Sequence, residues 1–281
     1  MTALKTDLAG VLPAHYISLS GNGAQPIDGA VIDEAVACIS VNGQELATFM
    51  CTPQNLTELA LGFLYNEGII ARLDDVRSHH LSKSGTCVDV WLHDMEFTRP
   101  RRAIITAGCG GGLTFDDLSD SHEPLTSDLR VAPEQLSTLM RDVHLGAELY
   151  QTARGVHTAA LAQAGAPGEE RLLLQVEDIG RHNCLDKLQG AALLSGLSTQ
   201  GLILLSSGRI SSEMINKARR LGTPIVCSGT SPTSLSVALA DAWNITLVAY
   251  LRQDRMRIYS HPERIMIDFR DSQPTRTNDK E

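Results

Sequence analysis

The chain has 281 residues, enough for one large domain or two modest ones with a proper core. Hydrophobic residues make up 43% and charged residues 20%, an ordinary balance for a soluble globular protein. With 33 acidic against 24 basic residues the formal net charge is -9, which argues against a general nucleic-acid or anionic-membrane binder but allows a local basic pocket.

The opening residues, MTALKTDLAGVLPAHYISLS, hold no long apolar run behind a basic cluster, so no secretory signal is expected. No stretch approaches the roughly eighteen apolar residues of a membrane span. The 6 cysteines are Cys38, Cys51, Cys87, Cys109, Cys184 and Cys227, with no CxxC pair among them. In a chain without an export signal they are expected to be reduced.

Residues 1–25 and 271–281 are polar or irregular and read as tails. The runs AVACISVNG and QELATFMCT predict a hairpin turning on Asn42-Gly43. From Gln54 to Ile70, apolar residues recur at helical spacing and Gly68 supplies a stop. Strand-like runs follow near 76–82, 86–93 and 103–106. A charged, polar stretch near 115–130 divides the chain into an N-terminal α+β part, 26–115, and a C-terminal part, 130–270.

The second part opens with a helix over 133–149 and a hairpin of VHTAALAQA with RLLLQVED around Pro167-Gly168. Helices near 181–195, 211–221 and 233–242 then alternate with the strands GLILLS, PIVCS and ITLVAYL, and MRIYS closes the series. That alternation predicts an α/β domain with a largely parallel sheet and helices on its faces.

Three strand-to-helix turns stand out: Glu177 to Asn183, Ser206 to Glu213, and Ser228 to Ser234. In an open α/β sheet such turns converge on the carboxyl edge, where ligands bind. Free amides and helix N-termini favour anions there. The candidate contacts are Gly180, Arg181, His182, Ser207, Gly208, Arg209 and Ser231, with the two arginines suited to bidentate phosphate contacts. The competing reading of each turn is plain helix capping, for which Ser211 and Thr233 are natural residues. His182 and His157 read equally as bases or as structural histidines. His261-Pro262-Glu263 matches an H-x-E fragment, but no P-C-x-x-C follows, so zinc catalysis is not expected.

Cys109 lies in Thr106-Ala107-Gly108-Cys109-Gly110-Gly111-Gly112, a glycine-rich setting unlike the apolar runs around most other cysteines. Exposure is one condition for a reactive thiolate, and a lowered pKa is the other. An incidental cysteine in a flexible loop is the alternative.

EDIGRHNCLDKLQG (177–190) resembles the signature EDVGRHNAxDK of the FdhD family. SSGRISSEMINKA (206–218), SPTSLSVALA (231–240), RGVHTAAL (154–161) and CTPQNLTELALGFLYNEGII (51–70) support the resemblance, in the family's order. It implies a cytoplasmic accessory factor for formate dehydrogenase that acts as a sulfurtransferase. Such a protein accepts sulfur from a cysteine desulfurase as a persulfide on Cys109. It passes that sulfur to the molybdenum cofactor in its bis(molybdopterin guanine dinucleotide) form, bound as cargo. The resemblance also implies a homodimer, and a cytidine-deaminase-like three-layer α/β/α C-terminal part without zinc. Tyr250, Leu251, Arg252, Gln253, Asp254 and Arg255 resemble the family's cofactor-contacting stretch. The chain departs from the pattern at Gly112, where the family's C-G-x-C-G loop has a second cysteine, at Gly229, where Arg or Lys is expected, and at Arg154, where a second glycine is common. The Gly112 departure keeps a second reading open, a cofactor or guanine-nucleotide binding chaperone without transfer chemistry.

Overall fold

The computed structural model describes residues 8–97, 104–105, 113–114, 123–253 and 255–267. In chain order the described elements are β1 (Val11–Ser20), β2 (Gly23–Ile32), β3 (Ala35–Val41), β4 (Gln44–Cys51), α1 (Leu56–Asn66), β5 (Val76–Leu81) and β6 (Cys87–Leu92). There follow β7 (Ile104–Ile105), β8 (Leu113–Thr114), α2 (Pro133–Leu145), α3 (Glu148–Ala153), β9 (His157–Gln163), β10 (Arg171–Asp178) and α4 (Arg181–Ser195). The last are β11 (Ile203–Ser206), α5 (Ser212–Leu221), β12 (Ile225–Ser228), α6 (Ser234–Ala242), β13 (Thr246–Arg252) and β14 (Arg255–Ser260).

The C-terminal sheet runs β10-β9-β11-β12-β13-β14. Its central strands alternate between two cores. Leu161, Leu204, Val226 and Leu247 face α4, α5 and α6, whereas Ala160, Leu205, Cys227 and Val248 face α2. Burial on both faces requires a helix layer on each side, which gives the α/β/α arrangement. The expectation of a largely parallel sheet needs correction, because only β11-β12 and β12-β13 pair in parallel. Both β9 pairings and β13-β14 are antiparallel. The hairpins at either side reverse direction within a few residues, so no crossover helix is needed there.

The N-terminal sheet, β4-β3-β6-β5, covers one face with α1 through Ala37, Ile39, Val41, Val88 and Val90. Asn42 and Gly43 both have positive φ, 50° and 79°, as the expected two-residue turn demands. Of the tail expected over 1–25, the described residues 8–25 are instead largely β-structure. β1 and β2 pair from Val11↔Ile32 to Ser20↔Gly23, and residue 25 falls inside a strand rather than at a boundary. The hairpin is anchored at its base, where Val11 and Ile32 pack against Leu149 and Val156. That contact is tertiary and leaves little periodic trace in the sequence. The helix expected over 133–149 ends at Leu145, capped by Gly146, before α3 begins.

The two parts meet where α1 crosses α4. A Cβ on Gly62 would overlap the Asp186 carbonyl oxygen and lie 2.7 Å from the Gly190 nitrogen. A Cβ on Gly190 would in turn overlap the Glu58 carbonyl. Trapped between α1 and the sheet, α4 is buried from Arg181 to Gly190, polar residues included. The reduced state expected of the cysteines also needs correction, since Cys38 and Cys87 form a disulfide. Residue pairing across β3 and β6 places these two side by side, a tertiary fact that their wide sequence separation hides.

Candidate functional site

The three turns do meet at one sheet edge, and they share one local device. The last residue of each strand accepts the amide two residues on: Gly180 N to Asp178 Oδ1 at 2.7 Å, Gly208 N to Ser206 Oγ at 3.1 Å, and Thr230 N to Ser228 Oγ at 3.0 Å. Neighbouring turns are also tied to each other. Ser228 Oγ donates to Gly208 O at 2.7 Å, and Ile210 N donates to Ser231 O at 3.1 Å. Ser211 and Thr233 cap α5 and α6, accepting from Met214 N at 3.4 Å and Ser236 N at 3.3 Å. Several amides expected to be free for an anion are therefore used internally, and capping accounts for much of the turn chemistry.

A cavity of about 1120 Å³ opens between this edge and α2. From the edge it takes Ser207, Gly229, Thr230, Leu251, Arg252 and Gln253. His157 and Thr158 at the start of β9 and Tyr150 of α3 also line it, and α2 contributes Ser137, Thr138 and Arg141. A second cavity of about 810 Å³ adjoins it, lined by Tyr250, Arg252, Arg255 and Arg257 among others. Arg252 and Met256 belong to both, so Arg252 stands at the junction. Its Nε donates to Gly229 O at 3.4 Å, and the Arg257 guanidinium lies 4.5 Å from the Tyr250 ring centroid. Arginines beside an aromatic ring and hydroxyls suit a ligand carrying both phosphate and a flat ring.

Of the residues singled out from sequence, Ser207, Tyr250, Leu251, Arg252, Gln253 and Arg255 line one of these cavities. Gly180, Arg181, His182, Gly208, Arg209 and Ser231 line neither, though they build the edge beneath. Cys109 and Asp254 lie outside the described residues. Gly208 has little space: a Cβ there would stand 3.1 Å from His157 Nδ1 and 3.1 Å from the Arg181 Cβ. Burial and then the Arg181 charge hold His157 below the usual histidine range, so at neutral pH it presents an uncharged ring to the cavity. The α2 residues had no sequence signal, because an amphipathic helix shows which face is polar but not what that face meets.

His182 is turned inward. Its Nε2 lies 3.2 Å from Ser211 Oγ and 3.4 Å from Glu213 Oε2. Burial first, then the Lys217 and Arg181 charges, push its pKa down to about 2. The network continues through Lys217, which donates to both Asp186 oxygens at 2.7 Å, and Asn66 of α1 donates to Asp186 at 2.7 Å. Burial pulls the Lys217 pKa down, but Asp186, Glu213 and Glu67 outweigh it and keep the ammonium charged. A parallel bolt joins Lys187 to Asp178 and Thr52. Much of the 177–190 motif thus fastens the two parts together.

Burial pushes the Cys51 thiol up to about 12 and raises Cys184 and Cys227 as well. None of these three is a thiolate at neutral pH. Among the described residues no group of three or more His, Cys, Asp or Glu side chains is placed to hold a metal ion, and no helix is long and apolar enough to cross a membrane.

Comparison with known proteins matches residues 32–266 to the FdhD/NarQ family model. The sulfur carrier protein FdhD of Bacillus subtilis (strain 168) is 36% identical over 244 residues, covering 85% of this chain and 91% of that protein. The sulfur carrier protein FdhD of Staphylococcus aureus (strain MRSA252) is 36% identical over 240 residues, covering 84% and 89%. A crystal structure from Desulfotalea psychrophila, described as a formate dehydrogenase accessory protein, superposes with a TM-score of 0.75 at 28% identity, covering 91% of this chain and 99% of that one. The chain belongs to the FdhD/NarQ family.

Proposed function

We propose that this chain is a cytoplasmic sulfur carrier and sulfurtransferase serving formate dehydrogenase, with Cys109 as the atom that carries sulfur. A cysteine desulfurase loads Cys109 as a persulfide, and the sulfur passes to the bis(molybdopterin guanine dinucleotide) form of the molybdenum cofactor. The carrier relatives and the accessory-protein neighbour support the reading. One observation carries the ligand half: Arg252 stands between two adjoining cavities, with Arg255, Arg257 and Tyr250 alongside. Guanidiniums pair with pyrophosphate oxygens and a tyrosine ring stacks on a base. The sulfur half rests on the glycine-rich setting of Cys109 in the sequence and on the carrier relatives, whereas Cys51, Cys184 and Cys227 are buried thiols.

The deciding experiment treats the protein with a cysteine desulfurase and cysteine, then reads the mass of the Cys109 peptide. A gain of one sulfur atom, lost in Cys109→Ala together with formate dehydrogenase activation but with guanine-nucleotide affinity kept, is the expected result. Activation that survives Cys109→Ala overturns the carrier role and leaves a cofactor-binding chaperone. The homodimer belongs to the same proposal, with the β1–β2 hairpin as its contact.

A further inference from the structure

We propose that Cys38 and Cys87 form a reversible thiol–disulfide exchange site on the open face of the N-terminal sheet, with small cellular thiols as co-reactants. The two lie on adjacent central strands in direct register, Cys38↔Cys87, with Cα atoms 4.5 Å apart. Strand alternation decides which way they point. Ala37, Ile39, Val88 and Val90 face α1, so Cys38 and Cys87 lie on the opposite surface, which no described helix covers. Ser40 and Asp89 share that surface and are hydrogen-bonded to each other. Both cysteines are half-buried rather than enclosed, and Cys87 directly follows the exposed polar turn at 82–86. Cys51, Cys184 and Cys227 are all buried. Among the described residues the fold therefore separates three enclosed thiols from one solvent-facing pair.

Accessible disulfides are the ones that exchange. A small thiolate attacks the sulfur of one cysteine, the bond between the two cysteines breaks, and the other leaves as a thiolate and takes a proton. A second small thiol then attacks the mixed disulfide, releasing the oxidised small-molecule disulfide and a protein dithiol. Two electrons pass from the two small thiols to the pair, and the reverse sequence restores the crosslink. The fold does not depend on it. The β3–β6 ladder continues through Cys38 N to Thr86 O at 2.8 Å, and the core against α1 is built from the other side chains of both strands. Both redox states are compatible with one native structure, as exchange requires.

The test equilibrates the native full-length protein at graded ratios of reduced to oxidised glutathione. It then quenches with acid, alkylates, and locates the labels by site-resolved mass spectrometry. The expected result is that Cys38 and Cys87 become labelled together as the ratio rises, while Cys51, Cys184 and Cys227 stay unlabelled until denaturant is added. Circular dichroism should be unchanged across the series. Labelling of both residues at every ratio would show that they never join. A crosslink that survives the most reducing ratio, or opens only on unfolding, would show a closed structural bond. Either outcome overturns the proposal, and neither bears on Cys109.

Discussion

Lys187 donates to Asp178 at 2.6 Å with both side chains wholly out of solvent. Asp178 accepts from four further donors: Thr52 N, Thr52 Oγ1, Gly180 N and Asn183 Nδ2. One carboxylate thereby binds the end of β4, the first turn of α4 and the turn between β10 and α4. Removing one member of such a pair strands a buried charge, at a cost of about 3–5 kcal/mol. Lys187→Met should lower the urea midpoint by that equivalent. An unchanged midpoint would show that the bolt does not hold the two parts.

The crossing of α1 and α4 has no space for side chains at Gly62 and Gly190, and the obstacle in each case is backbone. Overpacking of this kind costs about 1–3 kcal/mol. Gly62→Ala and Gly190→Ala should each destabilise by at least the upper figure, whereas Gly21→Ala, with nothing within 4 Å, should be neutral. Thermal unfolding of the three variants side by side checks this.

His182 links stability to pH. Its folded pKa of about 2 lies far below the usual 6.5, so above pH 6.5 both states are uncharged there and nothing is lost. As pH falls below 6.5 the unfolded chain takes up a proton that the native state refuses, and stability declines by about 1.4 kcal/mol per pH unit for each such proton. His157, also lowered, adds in the same direction. In His182→Gln the slope of unfolding free energy between pH 6 and 4 should be shallower by about one proton. Equal slopes in variant and wild type would remove His182 from the account.

Gly229 lines the larger cavity, and a Cβ built on it meets only Leu251 O, at 3.9 Å. The backbone there accepts a Cβ without a clash, so Gly229→Arg adds a guanidinium at the cavity wall. Calorimetry with GDP should show tighter binding in Gly229→Arg and weaker binding in Arg252→Ala, each by about 1–3 kcal/mol for one charge-assisted contact. Insensitivity of both variants would move the phosphate site elsewhere.

The distal β1–β2 hairpin exposes Ile17 and Leu19 at 73% and 80%. An isolated two-stranded ribbon is marginal in water. If a second copy of the chain covers it, Ile17→Ser with Leu19→Ser should raise the dimer dissociation constant in sedimentation without altering the far-ultraviolet spectrum. A monomeric wild type would refute the contact.

What local sequence settled was most of the run of elements from β3 onward, with β8 and the separate α3 as exceptions. The Asn42-Gly43 turn, the apolar spacing of α1 and the alternating strands and helices after Pro133 each carry their own short-range signal. The clustering of the three turns was legible too, since strand ends in such a sheet share an edge, whereas Arg252 was singled out only through the family resemblance. Only tertiary structure decided what the motif residues touch. His182 read equally as a base or as a structural histidine, but the packing of α4 against α5 commits it to a buried pairing with Ser211 and Glu213. The α2 wall of the cavity, the anchoring of β1–β2 and the Cys38–Cys87 bond all join residues distant in the chain. Periodicity reports which face of an element is apolar, and packing alone determines which distant surface that face meets.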